Sequence, residues 1–261
     1  MAKLTVAIKL YKGLFDININ ITICYVNNSK YIACSSELQI VHLAQIPTMI
    51  LPLFPLQSVF FPGETVPLHI FEDRYKQLIN ECRKEAMTFG IPVFINNTLV
   101  YGTEVQLVEV VTTYENGEMD VVCVARQVFK ILSFEDQIKG KLYAGGEVEF
   151  LDNENDADTA LREEVLQGVE KLYDLMDVPF TQTSPKQFSS YSLAHKMGLS
   201  FEQEYELLQI PNETNRLLFI KKHLEATTLV LTEVNRTKGT IKMNGHFKNF
   251  DPLDFKDFEV S

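Results

Sequence analysis

Two spacings of apolar residues divide the chain. In its first part they recur at every second position: Ile17, Ile19, Ile21, Ile23 and Tyr25 alternate with Asp16, Asn18, Asn20 and Thr22, and Val105, Leu107, Glu109 and Val111 alternate with Gln106, Val108 and Val110. A period of two predicts strands, because successive side chains of a strand point to opposite faces. After residue 160 the spacing changes to three and four. Leu161, Val165, Val169, Leu172 and Met176 form one helical stripe that stops before Pro179. Ser189 or Ser190 caps a short helix containing Leu193, Ala194 and Met197, closed by Gly198. Ser200-Phe201-Glu202-Gln203 reads as a capping box for another helix, ended by Pro211. After Asn212, the positions Leu217, Ile220, Leu224, Thr227, Leu231 and Val234 lay a narrow seam along a longer helix. Strands first and helices second predict an α+β chain with its two halves packed together.

Glycine and proline punctuate the strand-rich part. Pro52, Pro55, Pro62 and Pro67 interrupt short apolar runs, which suits edge or irregular strands, since proline cannot donate to an interior ladder. Pro62-Gly63 marks a turn, and Asn116-Gly117 a hairpin. Gly145-Gly146 inside an alternating run predicts a bulge or a close backbone approach. Between the prolines and the hairpin, Tyr75, Leu78, Ile79, Cys82 and Ala86 recur at helical spacing, with Glu72 and Asp73 placed as helix-start charges.

The residues 54–79, FPLQSVFFPGETVPLHIFEDRYKQLI, resemble the run that opens the N-terminal, substrate-binding domain of Lon proteases and of the stand-alone proteins built around it. Phe89-Gly90-Ile91-Pro92-Val93, Tyr101-Gly102-Thr103-Glu104-Val105 and Gly117-Glu118-Met119-Asp120-Val121 are similar to the strands and turns that follow in that family, and residues 207–225, LLQIPNETNRLLFIKKHLE, to its helical close. The resemblance spans about residues 49–234. It implies a PUA-like pseudo-barrel over 49–151, a helical half over 152–236 ending in a long helix, and a C-terminal tail over 237–261. Residues 1–48 then precede the domain, either as a genuine extra hairpin or as a stretch upstream of a true start at Met49.

Composition removes several classes of function. With 261 residues, 46% hydrophobic and 23% charged, the chain can bury a sizeable core as one domain or two modest ones. The formal net charge is -11, and from Met49 onward 20 basic residues face 33 acidic ones, a balance of -13. Such a surface repels phosphate backbones and anionic headgroups, so neither nucleic acid nor membrane is expected as a partner. Cys24, Cys34, Cys82 and Cys123 form no CxxC pair, which points to reduced thiols in a cytoplasm. No signal peptide and no uninterrupted apolar run of about 18 residues occurs, so a soluble, cytoplasmic protein is expected.

Catalytic signatures are missing. Gly140-Lys141 lacks the upstream glycine and the hydroxyl residue of a phosphate-binding loop, and nothing matches the Ser-Lys peptidase module that the resemblance would otherwise bring. His42, His69, His195, His223 and His246 never reach HExxH or HxH spacing, so no metal and no cofactor is expected. His69 is read as a packing residue and Cys123 as core. What remains is a non-enzymatic binding surface. Phe60, Phe61 and Phe71, with Glu72, Arg74 and Tyr75 beside them, are the candidate peptide-binding residues. The resemblance implies unfolded or extended polypeptides as partners in protein quality control, and a separate Lon protease as a second partner. Two alternatives stay open: an RNA-binding PUA-like protein using Lys221, Lys222, Arg236, Lys238 and Lys242, and a cryptic peptidase. In the tail, Asn244-Gly245 predicts a turn, and Phe247, Phe250, Leu253 and Phe255 are placed to anchor it in a groove of its own domain or of a partner.

Overall fold

The isoleucine alternation near the N-terminus produces a strand. In the computed structural model, which describes the backbone of residues 3–247 apart from 13–14, 27–28, 35–36, 43–48, 182–183 and 186–187, and the side chains of 50–241 outside the last two gaps, it falls within strand β2 (Phe15–Val26). β2 lies between β1 (Lys3–Lys12) and β3 (Ser29–Cys34), and β4 (Glu37–His42) completes an antiparallel four-stranded meander. These strands belong to the first of two units, Met1–Thr48, and the second is Met49–Ser261.

The second unit begins with β5 (Met49–Leu53), β6 (Thr65–Ile70), α1 (Asp73–Glu85), β7 (Phe89–Ile95), β8 (Thr98–Thr113), β9 (Met119–Glu135) and β10 (Ala144–Phe150). Pairing runs β10–β5–β7–β8–β9, and β9 returns to β10, so five strands close on themselves as a pseudo-barrel, with β6 added to β9. The 17-residue β9 makes this possible. Its first half, Met119–Val124, holds β6, and its second half, from Phe129 to Glu135, holds β10. Pro67 sits in β6, which pairs with β9 alone among the described strands, so its missing N–H faces an edge.

Small residues appear where backbones crowd. A side chain on Gly146 would strike the carbonyl oxygen of Ser133 on the neighbouring strand, and the register shifts next to it, between Glu147 and Val148. Gly63 has φ +93° in the Pro62-Gly63 turn, a conformation open to glycine. At the β8–β9 hairpin only Gly117 takes positive φ, +79°, and its N–H donates to the Tyr114 carbonyl at 2.9 Å. The alternation along β8 does not survive intact. Register shifts between Leu107 and Glu109 and between Val110 and Thr112 turn Val108 and Val111 outward, because each extra residue resets which face follows.

Helix α1 covers the barrel with Tyr75, Leu78, Ile79 and Cys82, all buried as their spacing predicts. Ala86, expected on the same stripe, is instead the C-terminal cap in the left-handed region at φ 53°. Their core includes Phe54, Val66, Ile70, Phe89, Val105, Val121 and Cys123. Burial pushes the Cys82 and Cys123 thiols up to about 12, which makes them inert.

The helical half comprises α2 (Thr159–Met176), α3 (Ser190–Leu193), a 3-10 turn (Ala194–Lys196), α4 (Phe201–Leu208) and α5 (Glu213–Phe247). Asp158 caps α2 by accepting from the Leu161 N–H at 2.8 Å, and the Ser200–Gln203 capping box of α4 is formed in both directions. Val165, Val169 and Leu172 of α2 pack on Leu217, Ile220 and Leu224 of α5, and Phe61, Val93, Ile95 and Val128 of the strand half join the same core. Each such side chain stabilises the fold by about 1.5–3 kcal/mol. The seam of α5 departs from its expected course. Thr228 is buried where Thr227 was expected, and Val234 is exposed, since the 35-residue α5 outruns the 18-residue α2. The expected turn at Asn244-Gly245 is absent. Helix α5 continues through Phe247, because extending a helix needs far less than nucleating one. The other proposed tail anchors, Phe250, Leu253 and Phe255, lie outside the described residues, as does the Phe247 side chain.

Candidate functional site

The end of β6, the start of α1 and the β8–β9 hairpin meet at one corner of the pseudo-barrel. Register places His69 of β6 opposite Asp120 of β9, and the hairpin brings Tyr114 and Glu118 alongside. His69 Nδ1 lies 2.7 Å from Asp120 Oδ1 and its Nε2 lies 3.5 Å from Glu118, while the Tyr114 hydroxyl donates to Asp120 Oδ2 at 2.6 Å. The hydrogen bond to Asp120 raises the His69 pKa above its ordinary value. Asp120 is held below the usual carboxylate range by the Tyr114 hydroxyl first and His69 second. On either side of the imidazole stand Phe71, with ring centroids 6.2 Å apart, and Tyr114, at 6.0 Å edge-on. Phe71 is 58% exposed and the His69 side chain 51%. His69 is therefore a surface residue, contrary to the packing role its place in the motif implied, because an outward position in β6 coincides with two carboxylates on β9 and the hairpin.

The six candidate residues separate into two groups. Phe61 is fully buried and stacks on Tyr191 at 5.2 Å, and Tyr75 is buried and stacks on Phe54 at 3.8 Å. Neither presents a face to a ligand: both were drawn inward by the apolar area an aromatic ring removes from water. Phe60 is half-buried against the barrel core, and its carbonyl accepts from Thr103 Oγ1 at 2.5 Å. Phe71, Glu72 and Arg74 lie together at the surface corner. Glu72 takes the N-cap position of α1 but makes no capping bond with its side chain. Its carboxylate accepts from Arg74 Nε at 2.8 Å instead, with the Arg74 guanidinium 4.5 Å from the centre of the Tyr75 ring. Asp73, also expected as a helix-start charge, is 3.4 Å from Lys76 Nζ.

A groove of about 490 Å³ runs between the C-terminal end of α1 and the hairpin-proximal part of β8, lined by Arg83, Met87, Leu107, Val108, Val110 and Val111 among others. Here β8 pairs with β9 on one side. Its pairing with β7 ends at Val105, so residues 106–113 have no strand along their other edge among the described residues. The groove thus combines apolar side chains with unpaired backbone, the complement of an extended polypeptide.

The sequence reading missed the carboxylates around His69, and also a buried charged cluster in the helical half. Glu213 accepts from Ser190 N at 2.8 Å, Ser190 Oγ at 2.7 Å and Arg216 Nε at 3.0 Å, and Arg162 Nη1 lies 3.3 Å away. Arg216 also donates to Ile210 O and Asn153 Oδ1, and Arg162 to Phe188 O and Asn155 Oδ1. No buried side-chain nitrogen or oxygen among the described residues lacks a partner, so this cluster ties the interhalf segment to α3 and α5 and is closed to ligands. Two members of the proposed basic patch are matched by carboxylates: Lys221 is paired with Glu164 at 2.7 Å and Arg236 with Glu233 at 3.0 Å. No group of three or more His, Cys, Asp or Glu among the described residues is placed to hold a metal ion. None of the described helices is long and apolar enough to cross a membrane.

Comparison with known proteins decides the family. Residues 50–226 match the model of the ATP-dependent protease La (LON) substrate-binding domain. The chain belongs to that family. A solved Lon N-terminal domain protein from Xanthomonas campestris is 27% identical with a TM-score of 0.53, over 65% of this chain and 95% of that one. The N-terminal domain of Mycobacterium avium complex Lon protease shares the fold at 15% identity and a TM-score of 0.50, over 68% of this chain and 98% of that one. No curated protein matches the chain significantly. The family match is to the Lon substrate-binding domain alone, without a protease or ATPase domain.

Proposed function

We propose that this Lon substrate-binding domain protein is a non-enzymatic polypeptide-recognition module in protein quality control, acting on unfolded or extended chains in the cytoplasm. The family match over residues 50–226 carries the reading. The groove beside β8 supplies free backbone donors and acceptors for an extended segment, and Phe71 with Tyr114 supplies exposed aromatic faces flanked by fixed charges. Its own chemistry ends at binding. His69 has a carboxylate partner, as a general base would, but among the described residues no serine, threonine or cysteine side chain hydrogen-bonds to it. A separate Lon protease is the natural recipient of what the module captures.

A reduced and alkylated, permanently unfolded protein titrated with the full chain tests this. Saturable binding in roughly the micromolar range, weakened by Val108→Ser/Val111→Ser and by Phe71→Ser, with casein left intact with or without ATP, is the expected result. Absence of binding, or cleavage by the pure chain, would overturn it.

A further inference from the structure

Strand β8 is paired along only part of one edge. Phe89 of β7 stands opposite Val105, and continuing that register sets Thr88 opposite Gln106 and Met87 opposite Leu107. At that point the chain leaves the lane. Ala86, with φ 53°, turns it out of α1, and the Thr88 hydroxyl donates to Glu104 Oε1 at 2.6 Å. From Val108 to Thr113 the lane beside β8 holds no strand among the described residues, and the groove between α1 and β8 opens along it. The lane is therefore blind at its β7 end and open at the hairpin.

Its lining says what fits. Met87, Leu107 and Val110 are half-buried against the barrel core, while Val108 and Val111 are 62% and 57% exposed. Apart from the buried Cys82, the ionisable side chains along the groove are Arg83 and Glu109, whose opposite charges leave no preference for a net charge. The backbone groups of a strand edge read no sequence, but they do reject proline, which cannot donate to a ladder. The register shifts at Leu107/Glu109 and Val110/Thr112 bend β8, which blunts its edge against pairing with the same edge of a second copy. They also fix a direction, because antiparallel ladders accommodate bulges and parallel ones rarely do.

Resting on the polypeptide-recognition reading above, we propose that this lane takes a proline-free, apolar segment of about six residues, ~20 Å of extended chain, as an added strand. The segment runs antiparallel to β8 and in line with β7, its C-terminal end against Met87 and its N-terminal end beside the β8–β9 hairpin. The ligands are thus the strand-forming stretches that folded proteins keep inside, and not polar or helix-forming ones.

A capped peptide of about eight alternating valines and threonines, with a lysine at each end, tests this when methylated at one backbone nitrogen at a time. The change is made on the peptide, so the fold of the full chain is untouched. Methyl groups at alternate residues should weaken binding roughly tenfold or more, those between them should leave it unchanged, and saturation should slow amide exchange within residues 106–113. A photoreactive group at the C-terminal end of the peptide should label Met87, and one at the N-terminal end the hairpin. If the permanently unfolded protein binds while the peptide does not, or the peptide binds without a two-residue period, the added strand is overturned and the recognition module stands. If neither binds, both fall. Labelling of Met87 from the N-terminal end would also overturn the proposal, as would a dimer in sedimentation velocity that Val108→Lys dissociates, which would assign the edge to a second copy.

Discussion

Two clusters that each join carboxylate to cationic and hydroxyl groups have opposite characters. Around Glu213, two arginines, a serine and a carboxylate are shut away from water, and each polar atom has a partner inside the protein. Around His69, an imidazole, two carboxylates and a tyrosine stand half in solvent with aromatic rings beside them. Burial makes the first cluster indispensable to the fold and useless to a ligand. Exposure leaves the second adjustable and able to meet another molecule. The lesson is that charge density alone does not mark a site; what decides is whether water, and hence a partner, can reach it.

The contrast can be tested from its strongest arm downward. Glu213→Ala leaves Arg162 and Arg216 buried without their anion, and urea denaturation should show a loss of about 3–5 kcal/mol. A loss below about 1 kcal/mol would mean that the cluster is hydrated in solution. Phe61→Ala should lower stability by about 3–5 kcal/mol, whereas Phe71→Ser should stay within about 0.5 kcal/mol and act on polypeptide binding instead. Similar losses from both would erase the distinction between the buried and the surface phenylalanines.

His195 lies between these extremes. Its Nε2 is 3.1 Å from Glu64 in the turn before β6 and its Nδ1 2.7 Å from Glu204 of α4, and hydrogen bonding to Glu64, then Glu204, raises its pKa to about 9. A raised pKa means that the stabilisation is complete below the ordinary value of 6.5 and disappears as pH climbs through about 9. With 41% of the side chain exposed, it amounts to about 1 kcal/mol after screening. His195→Gln should therefore separate from the parent in thermal melts at pH 6 and converge with it near pH 10. The smallest effect belongs to Asp120→Asn, which should leave the melting temperature unchanged while the His69 titration, followed by NMR, moves down towards 6.5. An unmoved titration would show that Asp120 is not what holds the proton on His69.

The fold was legible where one face of an element is buried. The stripe Tyr75, Leu78, Ile79 and Cys82, the Ser200 capping box and the Gly145-Gly146 approach were each readable because local spacing and local sterics carry them. The bulges that turn out Val108 and Val111 were not, since register depends on the partner strand. The site was less legible than the fold. Phe61 and Phe71 look alike in sequence, and only the packing of Tyr191 over one of them tells them apart. The pairing of Glu213 with Arg162, and of His69 with Asp120, joins residues 51 positions apart in each case, beyond any local pattern.

The closure of the pseudo-barrel also sets an order of events during synthesis. β5 gains its parallel neighbour with β7, but its antiparallel neighbour only when Ala144–Phe150 has been made. The cover of Leu51 and Leu53 is therefore completed, by Ala144 and Val148, only about ninety residues of translation later. Contact between segments so distant in sequence is of the kind that slows folding, since loop closure precedes the contacts that reward it.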